Sequence, residues 1–253
     1  DEVLDRIAAA MKEAGPERVG LWPGHGNAAN DYAVGVKHQL MERFANLYGA
    51  QAWTPAMICW GMGAFGIGIT GALETNTKED MGENSELIVM WAANITSQPN
   101  IAPHLKAAQR RGARIITVDV RRTEACAQSD EVFLIKPASD PALALAMMHV
   151  IIRDDFYDAD FVAKHTIGFE ELKAHVAQYT PDWAEKITEL AASQIEQLAR
   201  TYAAAKPAMV VIGGSSMHKG PNGWLAARAV SCLPALTGNL SKPGGGIGPR
   251  HGS

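Results

Sequence analysis

Ser85-Glu-Leu-Ile-Val-Met-Trp-Ala-Ala-Asn94, Ile101-Ala-Pro-His-Leu-Lys-Ala-Ala-Gln-Arg-Arg-Gly112 and Ala113-Arg-Ile-Ile-Thr-Val-Asp-Val-Arg121 are the stretches that decide the fold. The first and third are short, nearly continuous apolar runs, the pattern of strands buried on both faces. Between them lies a helical segment that Gly112 closes. Strand, helix, strand is a βαβ unit, and its right-handed crossover makes the two strands parallel. Downstream, Asp130 to Lys136 reads as a further strand and Pro141 begins a helix that runs to Arg153. Helical patterns over Tyr157 to His165, Phe169 to Gln178 and Ser193 to Lys206 precede a strand at Ala208 to Ile212 and a helix from Trp224 to Leu236. This alternation predicts an α/β chain with a parallel sheet covered by helices on both faces.

Upstream, Val3, Ile7, Ala10 and Met11 recur at helical spacing until Gly15-Pro16 ends the pattern, and a short strand follows at Arg18 to Trp22. Asp31 to Tyr48 is expected as a helix with Tyr32, Val36, Leu40, Phe44 and Leu47 on one face. Trp53 to Gly71 is glycine-rich and reads as a loop entering a close-packed helix, where something approaches the backbone. Pro243 to Ser253 reads as an irregular tail, from which the natural chain is expected to continue.

The 253 residues suffice for one large core or two modest ones. A formal charge of −4 leaves no basic surplus to neutralise a phosphate backbone, which argues against a nucleic-acid partner. No apolar run is long enough to cross a bilayer, and the opening residues are charged and helical rather than signal-like. Cys59, Cys126 and Cys232 are widely spaced and form no C-x-x-C pair, so by themselves they build neither a disulfide framework nor an iron–sulfur site. Free thiols favour the cytoplasm, and a periplasmic location stays open.

In a parallel sheet, ligands bind beyond the carboxyl ends of the strands. Four successive ends here are polar: Ala92 to Pro99, Asp119 to Glu124, Lys136 to Asp140 and Gly213 to Gly220. Amide, hydroxyl, carboxylate and guanidinium groups at one edge suit a nucleotide, although Asn94, Thr123 and Ser139 taken singly could each cap a helix. Gly61-Met-Gly-Ala-Phe-Gly66 formally matches G-x-G-x-x-G. It does not leave a hydrophobic strand, and Asp80 and Glu83 precede rather than end the next one, so a nicotinamide dehydrogenase is the weaker reading. By position alone, Cys59 is either an inert core thiol or a cofactor ligand.

Taken together, these segments resemble the molybdopterin oxidoreductase family, especially its formate dehydrogenases. The matching stretches are Trp91 to Pro99, Asp119 to Glu124, Lys136 to Ala144, Gly213 to Gly220 and Leu236 to Gly246, with Phe156 to Ala163 and Phe169 to Leu172 resembling the helical region between strands. The resemblance implies a Rossmann-like domain over residues 53–253 that binds molybdopterin guanine dinucleotide, and a partial, discontinuous α/β domain over residues 1–52. It implies Cys59 as the molybdenum or tungsten ligand, with Asn94, Ser97, Asp119, Arg121, Ser139, Asp140, Gly213 and His218 around the dinucleotide. Arg250 or His251 would take a catalytic role beside the metal if the pattern shifts by one position, and Trp60 stands where formate dehydrogenases carry a histidine. It further implies a bis-molybdopterin guanine dinucleotide enzyme with a small-molecule substrate, a redox partner or electron-transfer subunit, and a [4Fe–4S] cluster in an upstream segment. The chain alone is then expected to be apo and inactive. The rival from another class is a cofactor-free nucleotide-binding or regulatory domain in which Cys59 is structural.

Overall fold

The computed structural model describes residues 1–22, 36–53, 61–71, 74–97, 99–213 and 220–249. The chain divides into two compact units, Asp1–Gly61 and Met62–His251.

In the first unit, α1 (Glu2–Ala14) ends where Gly15 donates its N–H to Met11 O, and a single 3₁₀ turn leads into β1 (Gly20–Leu21). The helix expected from Asp31 is described from Val36 onward as α2 (Val36–Tyr48); its expected start lies outside the described residues. β2 (Gln51–Ala52) then pairs with β1 in parallel, Gly20 opposite Gln51. The Tyr48 hydroxyl donates to Met11 O and ties α2 to α1. Apolar side chains on both helices remain in contact with solvent: Val3, Leu4 and Ile7 on α1, and Leu40, Phe44 and Leu47 on α2. Amphipathicity located the two helices, but Leu40, Phe44 and Leu47 of the face named on α2 are exposed, while Ala45 is buried; Tyr32 and the Val36 side chain lie outside what is described.

The second unit opens with α3 (Gly61–Ile69) and α4 (Lys78–Asn84) and is built on a five-stranded parallel sheet in the order β5-β4-β3-β6-β7. β3 (Leu87–Trp91) lies at the centre, with β4 (Arg114–Asp119) on one side and β6 (Ala208–Ile212) on the other. β5 (Glu131–Leu134) extends the sheet beyond β4, and β7 (Gly246–Ile247) beyond β6. Every residue of β3 and β6 is buried, as their unbroken apolar runs require. Ile88, Met90, Ile115, Met209 and Val211 point to the face covered by Met81 of α4 and by Leu105 and Ala108 of α5 (Ala102–Arg110). The alternate residues of each strand face the opposite side.

Between β5 and β6 run α6 (Asp140–Arg153), α7 (Ala159–His165), α8 (Phe169–Val176), α9 (Pro181–Thr188) and α10 (Ala192–Ala204); α11 (Gly223–Leu236) follows β6. The expected helix-rich insertion is thus present. Its α9, absent from the sequence reading, is capped by the Thr180 hydroxyl on Trp183 N at 3.2 Å, with Pro181 at the first position. α4 was likewise missed, and Thr77 caps it on Asp80 N.

The tail read as irregular contains a strand. Gly246 and Ile247 pair with Met209 and Val210, and Gly248 N continues the ladder to Val210 O at 2.8 Å. Two residues are too few for a period-2 signal. Side chains from elsewhere hold the segment instead: Asp80 accepts from Gly244 N at 2.7 Å, Ser85 Oγ donates to Gly244 O at 2.7 Å, and Ile247 N donates to Thr75 Oγ1 at 2.9 Å. Among the described residues no helix is long and apolar enough to cross a membrane.

Candidate functional site

Strand order sets the position of the site. Beyond β3 the chain winds outward to β4 and β5, whereas β6 and β7 lie on its other side, so the winding reverses between β3 and β6. At such a reversal, the loops leaving neighbouring strands part and open a crevice at their carboxyl ends. Backbone hydrogen bonds hold these ends level: Ala92 N to Val118 O at 2.7 Å, Gly213 N to Trp91 O at 2.8 Å and Ile135 N to Asp119 O at 2.9 Å. The expected residues Asn94, Ser97, Asp119, Arg121, Ser139, Asp140 and Gly213 therefore all follow strands at the same edge of the sheet. Cys59, His218, Arg250 and His251 lie outside the described residues.

Two carboxylates are buried at this edge. Asp119, the last residue of β4, is 8% exposed, and Asp140, the first residue of α6, is 3% exposed. Asp119 Oδ1 accepts from Val120 N at 2.7 Å and from Arg121 N at 3.4 Å, an arrangement that folds the loop back over the strand end. Asp140 Oδ1 accepts the indole N–H of Trp91 at 2.9 Å. Burial pushes the Asp140 carboxyl above the usual carboxylate range; the Trp91 bond and a backbone bond oppose that shift, and the charge of Asp119 adds to it. No cation among the described residues contributes. A desolvated carboxylate with a like charge beside it and no counter-ion is costly unless N–H donors reach it.

The helix-cap alternative can be tested residue by residue. Ser139 occupies the N-cap of α6, yet its hydroxyl makes no cap bond and donates to Lys136 O at 2.6 Å. Asp140 is committed to Trp91. The Asn94 amide joins two strand-end loops, donating to Glu124 Oε2 at 2.9 Å while its oxygen accepts from Thr96 N at 3.3 Å. Glu124 is held below the usual carboxylate range, first by a backbone hydrogen bond and then by Asn94, with Thr96 and Arg121 adding to it. Thr123 bonds the sulfur of Cys126 within its own turn. Ser97 N closes a turn on Asn94 O at 3.0 Å, and the Arg121 side chain is exposed. These residues shape and link the loops; none of them caps a long helix.

The backbone is also constrained here. Ala92, just past β3, has φ 51, and Ala138, just before α6, has φ 67, both in the left-handed region that L-residues seldom adopt. A Cβ on Gly220 would lie 2.5 Å from the Ala138 Cβ, so the loop after β6 can approach the loop after β5 only with glycine at this position. Non-glycine residues held at positive φ cluster at ligand sites. Sequence reading assigned no role to Trp91 or Glu124. For Trp91 the signal was present: a wholly apolar strand ending in an indole leaves a buried N–H in need of an acceptor. For Glu124 there was none, because its partner Asn94 comes from another loop.

The other two cysteines are locally engaged: Cys126 Sγ donates to Arg121 O at 3.9 Å, and Cys232 Sγ to Arg228 O at 3.3 Å. Burial raises the Cys232 thiol, which disfavours the thiolate a metal needs.

Residues 1–251 match the molybdopterin oxidoreductase family. Formate dehydrogenase H of Escherichia coli is 34% identical over 99% of this chain and 35% of its own length. Acetylene hydratase of Syntrophotalea acetylenica is 31% identical over 99% of this chain, again 35% of its own length. The solved acetylene hydratase from Pelobacter acetylenicus superposes with a TM-score of 0.71 at 27% identity, covering 95% of this chain and 32% of that one. The chain thus spans about a third of the length of the curated relatives it matches. With the family match running almost from end to end, the chain belongs to the molybdopterin oxidoreductase family.

Proposed function

We infer that the intact protein is a formate dehydrogenase-like molybdopterin oxidoreductase. In this reading it moves electrons between a small substrate and a redox partner, and the present chain holds the guanine end of one of two molybdopterin guanine dinucleotides. The observation that carries the reading is the burial of Asp119 and Asp140 together at the reversal of the sheet, with no cation among the described residues acting on Asp140. A guanine edge offers adjacent N–H donors, and the loop N–H and Trp91 bonds to these carboxylates reach Oδ1 of each, so donors to the second oxygens suit the residues present and fit this cofactor. Asn94, Ser97, Ser139 and Gly213 would line the rest of the dinucleotide, the side chains with hydroxyl and amide groups and Gly213 by letting the backbone come close, and Arg121 would meet phosphate. His218 is proposed for the same contact.

When bound, the molybdenum or tungsten pterin supplies the two-electron redox chemistry. This chain's part is to bind and orient it: Asp119 and Asp140 accept base N–H groups, and the loops that Asn94 and Glu124 link shape the floor. Cys59 is proposed as the metal ligand, a thiolate being suited to a soft centre, with Arg250 or His251 beside the substrate. A [4Fe–4S] cluster is proposed for a segment of the protein outside this chain, and the chain alone is expected to be apo and inactive. We further propose residues 53–253 as the Rossmann-like dinucleotide domain and residues 1–52 as part of a discontinuous α/β domain. The apolar side chains exposed on α1 and α2 support the latter. The cytoplasm is the proposed compartment.

The test is Cys59→Ala in the intact protein, with metal and pterin measured beside turnover. Turnover should fall at least a hundredfold, as expected for loss of a metal ligand, while pterin content holds. A variant with the parent's activity and only a stability loss of about 1–3 kcal/mol would instead make Cys59 structural.

A further inference from the structure

Trp91 has no place in the cofactor contacts proposed above, yet it holds the geometry on which they depend. It ends the central strand β3, its ring is fully buried, and its Nε1 lies 2.9 Å from Oδ1 of Asp140. An indole N–H can only donate, so this bond fixes Oδ1 as an acceptor and cannot reverse its sense. Strand and ring are both rigid, whereas a carboxylate alone would rotate about its last torsion. The other fixtures of Asp140 are on its backbone: Ser139 is bound to Lys136 O, and the Ala138 turn lies against Gly220. Among the described residues, no side chain besides Trp91 bonds the Asp140 carboxylate.

We propose that Trp91 is a positioning residue that sets base specificity: by pinning Oδ1 of Asp140 it leaves Oδ2 as the acceptor for a base N–H. With Oδ2 of Asp140 taking one donor and the Asp119 carboxylate the other, the edge suits a purine that carries an exocyclic amine beside its ring N–H. This rests on the reading that a guanine nucleotide occupies the strand-end crevice. If the pin is removed, the carboxyl group stays buried and keeps its backbone bond but loses the side-chain donor that directs Oδ1. The cost then falls most on the ligand with two donors to satisfy, and least on one with a single donor.

The test uses this 253-residue chain and three probes, GDP, IDP and ADP, in isothermal titration of the parent and of Trp91→Phe, which keeps an aromatic ring and deletes the N–H. IDP lacks the exocyclic amine, and ADP lacks the ring N–H. The parent should bind GDP tightest. In Trp91→Phe, GDP should weaken about tenfold, the scale of one buried hydrogen bond, and IDP by much less, so that the GDP-to-IDP ratio collapses. If GDP and IDP weaken by the same factor, or neither changes, Trp91 is structural and the proposal is overturned while the guanine reading stands. If the parent itself does not prefer GDP to ADP, the guanine reading fails and takes the proposal with it. Should Trp91→Phe not fold, the Trp91 indole N–H resonance of the unmodified chain, identified as the one displaced in Asp140→Asn, decides the matter. It should move on adding GDP and stay still with ADP, and a resonance indifferent to both overturns the proposal.

Discussion

Gly66→Ala should destabilise this chain, although glycine-to-alanine in a helix ordinarily does the opposite. Alanine in a helix interior gains about 1 kcal/mol over glycine. Gly66 sits inside α3 where that helix crosses α11, however, and a Cβ built on it would lie 2.1 Å from Trp224 O and 3.1 Å from Arg228 N. The obstacles are backbone atoms, which cannot rotate away, so α3 has to move off by roughly 1 Å or more. Overpacking of this kind costs about 3 kcal/mol at the upper end of its range. The shift would also strain the bond between Thr70 Oγ1 and Ser231 Oγ, now 2.7 Å, which is worth about 1 kcal/mol. Set against the helix-propensity gain, the net loss is about 3 kcal/mol, or roughly 6–12 °C in Tm for a protein of this size. Urea unfolding followed by circular dichroism and tryptophan fluorescence measures it directly. A variant as stable as the parent, or more so, would refute the close crossing of α3 and α11.

Two further perturbations address the edge and the core. Burial raises the folded-state pKa of Asp140 above its unfolded value, so between the two the folded chain binds more protons than the unfolded one. Stability from this group is full below the unfolded pKa and is lost as pH rises through the folded one. Asp140→Asn should therefore match the ligand-free parent near or below pH 3.8 and gain on it as pH rises; denaturant titrations across that range should show the gap opening, and a constant difference would refute it. Asn239 is fully buried, accepting from Ala208 N at 2.9 Å and donating to Thr237 Oγ1 at 2.8 Å, so it joins the start of β6 to the end of α11. Asn239→Ala leaves Ala208 N unpaired and removes one donor from Thr237 Oγ1, which still donates to Leu233 O at 3.0 Å; it should cost about 2 kcal/mol in the same unfolding experiment, and a loss below about 0.5 kcal/mol would show that Ala208 N finds another partner.

The parallel sheet was legible because its strands are buried on both faces. Leu87 to Trp91 and Ala208 to Ile212 had to be apolar throughout, in runs short enough to be strands. α4 and α9 escaped the reading because each is a short helix whose start is marked by one residue, Thr77 or Thr180, rather than by a long periodic face. β7 left no local trace, since Gly246 and Ile247 are held by Thr75, Asp80 and Ser85 from far upstream. The same division runs through the site. Strand-end position identified Asp119 and Asp140, which is a matter of topology, whereas the pairings of Trp91 with Asp140 and of Asn94 with Glu124 are contacts between distant loops that no spacing rule encodes. Leu40, Phe44 and Leu47 illustrate the converse: periodicity placed them on one face of α2, but it does not say what covers that face.

Guanine bound by the carboxylate pair is the central claim, and the most direct measurement of it is the GMP released by acid hydrolysis from the intact protein, compared with the Asp119→Ala, Asp140→Ala double variant. The parent should release two GMP per polypeptide, as expected for a bis-dinucleotide enzyme, together with molybdenum or tungsten. The double variant should fall to about half that GMP or less, because each buried acceptor removed weakens its dinucleotide by about 1–3 kcal/mol. A double variant that keeps the parent's full GMP content, or a parent that releases none, would contradict the account.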